Sequence, residues 1–283
     1  MRPDEISNPH DRFFKEVFSR EEVGRDFVLR HLPPDIVALL DTDSLTLTRD
    51  SFVDRELREH FSDMVYKVRL RSGGEAYIYV LLEHKSYADP MTGFQVLRYK
   101  VRIWERLLRA YQRKKRRERR ARPPGYQRGK REKSPFRFPP VIPMVVYHGR
   151  EEWKVSHSFR DMFDMPEELA PFVPDFRYLL CDISHIPDGD IRGMVLLRVG
   201  MLVMKYVFRD DLAERLPGIL SLLKKLSGTQ SITEFLETVV RYLCLGTDKI
   251  TEQDMGKAIR TAFPETGGGL MATLAEKWFQ QGA

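Results

Sequence analysis

The sequence predicts an α/β fold: a helix, three strands, a helix and a strand, followed by a C-terminal helical region. Three observations carry that expectation. Met64 to Leu82 holds two strand-like runs about a Gly-Gly pair, and Pro139 to Tyr147 (PPVIPMVVY) is one unbroken apolar run. Beyond Asp190, apolar residues recur at helical spacing.

In chain order, residues 1 to 9 form a polar lead-in ending at Asn8-Pro9. Asp11 to His31 carries Phe13, Phe14, Val17, Phe18, Phe27 and Val28 at mostly helical spacing, with a break expected near Glu21-Glu22. His10 or Asp11 is the candidate cap. Pro33-Pro34 ends this segment, and Asp35 to Leu40 reads as a short second helix. Ser44 to Val53 alternates and reads as the first strand, while Asp54 to Phe61 has helical propensity. Asp89-Pro90 opens a helix from Met91 to Tyr111, with an expected core stripe of Phe94, Leu97, Val101, Trp104 and Leu108. Arg109 to Arg122 extends it as a solvated basic rod, which Pro123-Pro124-Gly125 breaks. Arg177 to Ile183 (RYLLCDI) reads as a further strand on a sheet edge. Helices are expected over Asp190–Phe208, Leu212–Leu226, Ser231–Leu245, Thr251–Phe263 and Leu270–Phe279.

The hairpin is the centre of the pattern. Met64, Tyr66, Val68 and Leu70 alternate with Val65, Lys67, Arg69 and Arg71, the period of a half-buried strand. Ser72-Gly73-Gly74-Glu75 supplies glycines for positive φ, and Ala76 to Leu82 is apolar on both faces, as in a central strand. Folding about Gly73-Gly74 sets Asp63 opposite a residue near His84, with Glu83 and Lys85 on one face because they are two apart. Charge at the end of a buried strand is costly unless it is paired or ligating. On spacing alone, a surface aspartate beside a strand-end Glu–Lys pair accounts for the same residues.

Composition narrows the class. The 283 residues are 42% hydrophobic and 31% charged, as in a globular protein. No run approaches the ~18 apolar residues of a membrane span, and the polar N-terminus does not resemble a secretory signal. Cys181 and Cys244 are too few for a zinc site or a disulfide framework, so both are expected as buried free thiols in a cytoplasmic protein. The net charge of +6 is concentrated: Gln112 to Lys133 holds twelve Lys or Arg and two Glu, and removing that +10 leaves −4. Such a run is a solvated charge segment or a nonspecific phosphate-binding arm.

Several motifs together resemble a known family. They are Asn8-Pro9-His10-Asp11 with Phe14-Lys15, Asp26-Phe27, His31-Leu32-Pro33, Ser51-Phe52-Val53-Asp54, Ser62-Asp63, Tyr77-Ile78-Tyr79-Val80, Glu83-His84-Lys85-Ser86, Arg98-Tyr99, Val141-Ile142-Pro143 and Tyr147-His148-Gly149. Over roughly residues 8 to 245 the chain resembles the Rpn recombination-promoting nucleases, or YhgA-like transposases, of the PD-(D/E)XK superfamily. The resemblance implies an αβββαβ restriction-endonuclease-like core over 8–185 with a basic insertion at 112–138, then a helical region over 186–283. It implies Asp63, Glu83 and Lys85 as the catalytic core with Gln95, and Asp63, Glu83 and the His84 carbonyl as ligands of Mg²⁺, for which Mn²⁺ can substitute. Asp11, Arg98 and Tyr99 are similar to auxiliary positions. Arg113, Lys114, Lys115, Arg116, Arg117, Arg119 and Arg120 are expected to bind DNA, the implied substrate of a metal-dependent endonuclease of little sequence preference. Paired cuts would need a homodimer, and no membrane association is expected. The superfamily's Pro-Asp is Ser62-Asp63 here, whereas Lys85 matches its pattern. A nucleic-acid-binding protein without catalysis, or a hydrolase of RNA, are the competing readings. His148 before Gly149 is expected to be structural.

Overall fold

The computed structural model describes residues 8–48, 63–83, 87–121 and 136–270, except for the side chains of Asp63 and Thr229. The expected segments at 54–61 and 271–279, and the loop at 122–135, lie outside the described residues.

Helix α1 (Pro9–Phe18) starts where Asn8 accepts a hydrogen bond from the His10 backbone N–H, so Asn8 is the cap rather than His10 or Asp11. The chain breaks at Ser19-Arg20, and α2 (Glu21–His31) follows, close to the expected break. A short α3 (Pro34–Leu39) runs directly into β1 (Leu40–Leu47), which begins four residues before the strand expected from alternation. Strands β2 (Asp63–Leu70) and β3 (Glu75–Glu83) form the hairpin, with Gly73 and Gly74 at φ 92° and 89°. Helix α4 (Thr92–Arg120) leads to β4 (Val141–Tyr147), and β5 (Leu179–Asp182) is the expected edge strand. Among the described residues the helices α5 (Val195–Tyr206), α6 (Leu212–Ser221), α7 (Thr229–Gly246) and α8 (Glu252–Ala262) follow.

The sheet order is β1-β2-β3-β4-β5; β1, β2 and β3 pair antiparallel, and β4 and β5 continue parallel to β3. Strand β3 is central and buried on both faces, as its sequence requires. Ile78, Val80 and Leu82 face one core with α1, α2 and the C-terminal helices, whereas Tyr77, Tyr79 and Leu81 face α4. The larger core therefore runs without interruption from the sheet into α5–α8.

Two expectations about packing are corrected. The buried residues of α4 are Thr92, Gly93, Val96, Tyr99, Lys100 and Ile103; of the expected stripe Trp104 does pack against the sheet-side cluster, whereas Phe94 and Val101 are exposed. Cys181 is buried, and burial raises its pKa, but Cys244 is exposed.

A polar network ties the segment after β5 to α5. The Lys205 ammonium donates to the Ile186 carbonyl (2.6 Å) and to Asp188, whose other oxygen accepts from the Tyr206 hydroxyl (2.6 Å). Burial acts to raise the Asp188 pKa, but the hydrogen bonds from Lys205 and Tyr206 outweigh it and hold the carboxyl below its usual value. A lowered folded pKa gives stability that is present above the unfolded value near ~3.9 and lost as pH falls through the folded one. Asp188→Asn should therefore cost about 1–2 kcal/mol at pH 7, a discounted figure because Asp188 is half-exposed while Lys205 is buried. Urea titrations at pH 7 and pH 3 check it: the difference between variant and wild type should shrink at the lower pH.

Candidate active site

Glu83 is the last residue of β3 and only 1% exposed. The register corrects the sequence reading: Asp63 pairs with Leu81, three residues from the position expected near His84. Because Leu81 and Glu83 are two apart, this pairing sets Asp63 on the pleat face that carries Glu83. Diagonal neighbours of this kind stand about 7–8 Å apart at Cα. Lys85, His84 and the side chain of Asp63 lie outside the described residues.

The end of β3 is fixed from the other side by β4. Glu83 pairs with Tyr147, and Tyr147 with Asp182 at the end of β5. The His148 N–H donates to the Glu83 carbonyl (2.8 Å). Three strand ends thus place Glu83, Tyr147 and Asp182 in one row on the face toward α4. The Tyr147 pKa is pushed up to about 12, first by burial and then by the negative charges of Asp182, Glu151 and Glu83. The row is therefore rich in carboxylate. Sequence reading did not single out Tyr147 or Asp182 as site residues; the available signal was an acid ending a strand parallel to β3. Asp182 also accepts from His185 Nδ1 at 2.8 Å if that nitrogen carries the proton.

His148 is structural, as expected. Its ring is buried, lies within 2.8 Å of the Met204 carbonyl through Nε2, and stacks on Phe208. His10 contacts the His148 ring edge-on, with centroids 5.1 Å apart, and its Nδ1 lies 2.8 Å from the Tyr242 hydroxyl. This seats the first turn of α1, with Asp11 on it, beside the strand end that holds Glu83. His31 likewise has a partner, the Phe27 carbonyl (2.8 Å).

Helix α4 runs back along the sheet from this rim. Tyr99 stacks on Tyr79 (4.8 Å) in the core, and Trp104 Nε1 donates to the Pro139 carbonyl (2.9 Å) at the start of β4. Gln95 is half-buried near the rim end of the helix and Arg98 is exposed. Arg113, Lys114, Lys115, Arg116, Arg117, Arg119 and Arg120 are all exposed in the last two turns and more of α4, at its far end from Glu83.

A buried carboxylate with a second acid placed on the same pleat is a hard oxygen donor set, the kind Mg²⁺ takes. Among the described residues no three His, Cys, Asp or Glu come together as a metal cluster.

The family described as "Putative transposase, YhgA-like" matches residues 8–234. The chain belongs to this family. It is similar to the recombination-promoting nuclease RpnD of Escherichia coli O157:H7, at 31% identity over 96% of this chain and 94% of the relative. RpnA of Escherichia coli K12, also named a recombination-promoting nuclease, is 29% identical over 100% of this chain and 87% of its own. RpnE of the same strain, named an inactive recombination-promoting nuclease-like protein, is 30% identical over 100% and 85%. No solved structure matches. The architecture is mixed α/β with a five-stranded sheet, and no described helix is long and apolar enough to cross a membrane.

Proposed function

We propose that the protein is a DNA endonuclease that hydrolyses phosphodiester bonds with little sequence preference, using the strand-end site around Glu83. One observation carries the reading: a nearly inaccessible carboxylate ends the central strand, on the pleat face shared with Asp63. A carboxylate held at a strand end in this way is a hard oxygen donor suited to a divalent cation. The nuclease relatives and the PD-(D/E)XK-like order of elements support the same reading.

In this mechanism Asp63, Glu83 and the His84 carbonyl would hold Mg²⁺, or Mn²⁺ in its place. The ion would supply charge stabilisation at the phosphoryl oxygens and acidify water. Lys85 orients the attacking water or neutralises developing charge, and Gln95 positions water or a phosphate oxygen. Asp11 and Arg98 act at the edge of the site, and Tyr99 supports α4 from the core. Arg113, Arg116, Arg117 and Arg120 hold DNA through its phosphates. The catalytic unit is assigned to 8–185 and the helical region to 186–283. The protein acts in the cytoplasm, in recombination or mobile-element biology, and double-strand cuts require a homodimer.

A second reading, DNA binding without catalysis, draws on the relative named inactive at 30% identity. Supercoiled plasmid incubated with Mg²⁺, with Ca²⁺ or with chelator separates the two. Nicking in Mg²⁺ alone is the expected result; gel retardation in every condition without nicking would favour the binder.

A further inference from the structure

The arginines of α4 are not scattered along it. On a helix turning about 100° per residue, Arg98, Arg102, Arg106, Arg109, Arg113, Arg116, Arg117 and Arg120 all fall within about 60° either side of Gln95. The helix's other cations, Lys100, Lys114, Lys115 and Arg119, fall outside that arc. Every position on the stripe that carries a cation is an arginine, the side chain whose planar fork suits phosphate. The stripe flanks the sheet-facing side and begins beside the rim that holds Glu83. It spans about 33 Å from Arg98 to Arg120 at ~1.5 Å per residue.

We infer that this stripe is a binding surface for the sugar–phosphate backbone of duplex DNA, leading away from the site at Glu83. The inference deepens the endonuclease reading and rests on it for the substrate's destination, though the binding surface can be tested alone. Its length matches about ten base pairs at ~3.4 Å per step. The arc carries no exposed aromatic side chain on which bases could stack, which favours a duplex over a single strand. Glu105 pairs with Arg109 (3.0 Å) and approaches Arg102 (3.7 Å), which restrains two guanidiniums before any phosphate arrives.

Two charge-matched triple variants of the full chain test it: Arg113→Gln/Arg117→Gln/Arg120→Gln on the stripe, and Lys114→Gln/Lys115→Gln/Arg119→Gln off it. All six side chains are exposed, so both proteins should fold. Fluorescence anisotropy with a 24-base-pair duplex and a 24-nucleotide single strand, in Ca²⁺ at 50–200 mM salt, gives affinity and salt slope. The stripe variant should lose duplex affinity on the order of a hundredfold at 0.1 M salt, with its salt slope lowered by about 3. The off-stripe variant should lose less than about threefold. Equal losses in the two variants, or a single strand bound as tightly as the duplex, would overturn the inference. Plasmid nicking in Mg²⁺ separates the claims. If the wild type does not nick while the variants differ, the duplex surface stands and the nuclease reading falls; nicking with equal variants means the reverse.

Discussion

Replacing Glu83 with glutamine is expected to lower the rate of plasmid nicking in Mg²⁺ on the order of a thousandfold or more while leaving the thermal midpoint unchanged or slightly higher. The first half follows from losing a ligand charge at the reacting phosphate. The second follows from the surroundings: Glu83 is buried, and Tyr147 beside it feels the negative charges of Asp182, Glu151 and Glu83 together. Glutamine keeps the shape and relieves the repulsion among the negative charges of the row, so a large structural cost is not expected. A carboxylate retained for packing or ion pairing would behave oppositely, with the midpoint falling by several degrees. Single-turnover nicking and a thermal melt of the same preparation give both numbers.

The second large effect is on stability. Gly24→Ala should destabilise the protein by about 3 kcal/mol, and lower the midpoint by about 5 °C. A Cβ at Gly24 would stand 2.2 Å from the Tyr66 hydroxyl oxygen and 2.3 Å from the Phe18 carbonyl oxygen. Those two atoms form a buried hydrogen bond of 3.0 Å that joins the end of α1 to β2, so neither can retreat without breaking it. Tyr66 lies three residues from Asp63, and displacement of β2 should therefore also reduce nicking. Combining Gly24→Ala with Tyr66→Phe removes one clash of the two, so the double variant should be less destabilised than the sum of the singles. Additive losses would show that the methyl group is accommodated another way.

The strands were legible because their chemistry is local. Alternation in Met64–Leu70, saturation in Ala76–Leu82 and the Gly pair between them specify a hairpin without reference to the rest of the chain. Register was less accessible. The Leu70 N–H bonds the Gly74 carbonyl, and Arg71 N–H turns away to the Leu39 carbonyl at the β1 side, so the ladder pivots at Ser72 rather than between the glycines. That small change moves Asp63 from opposite His84 to opposite Leu81 and fixes which pleat it shares.

The face of α4 was misread for a different reason. Phe94, Leu97, Val101, Trp104 and Leu108 repeat as a core stripe should, yet the sheet-facing set includes Thr92, Gly93 and Lys100. Gly93 fits closely there, since Met162 Sδ would stand 2.8 Å from a Cβ and its side chain would have to shift. Lys100 is tolerated because its ammonium lies 4.0 Å from the centre of the Phe176 ring, while burial lowers its pKa. Small and cationic residues in buried positions erase the periodic signal that apolar counting depends on. The row of Glu83, Tyr147 and Asp182 is likewise assembled from three separate strands, and only the parallel pairing of β3, β4 and β5 brings it together.

The central claim is that Glu83 and Asp63 together hold a divalent cation. An anomalous difference map from crystals soaked in Mn²⁺ tests it most directly. The account predicts a peak within about 2.0–2.3 Å of carboxylate oxygens of both residues, absent in Glu83→Gln crystals soaked the same way. A strong peak elsewhere, or none at Glu83 at millimolar Mn²⁺, would contradict it.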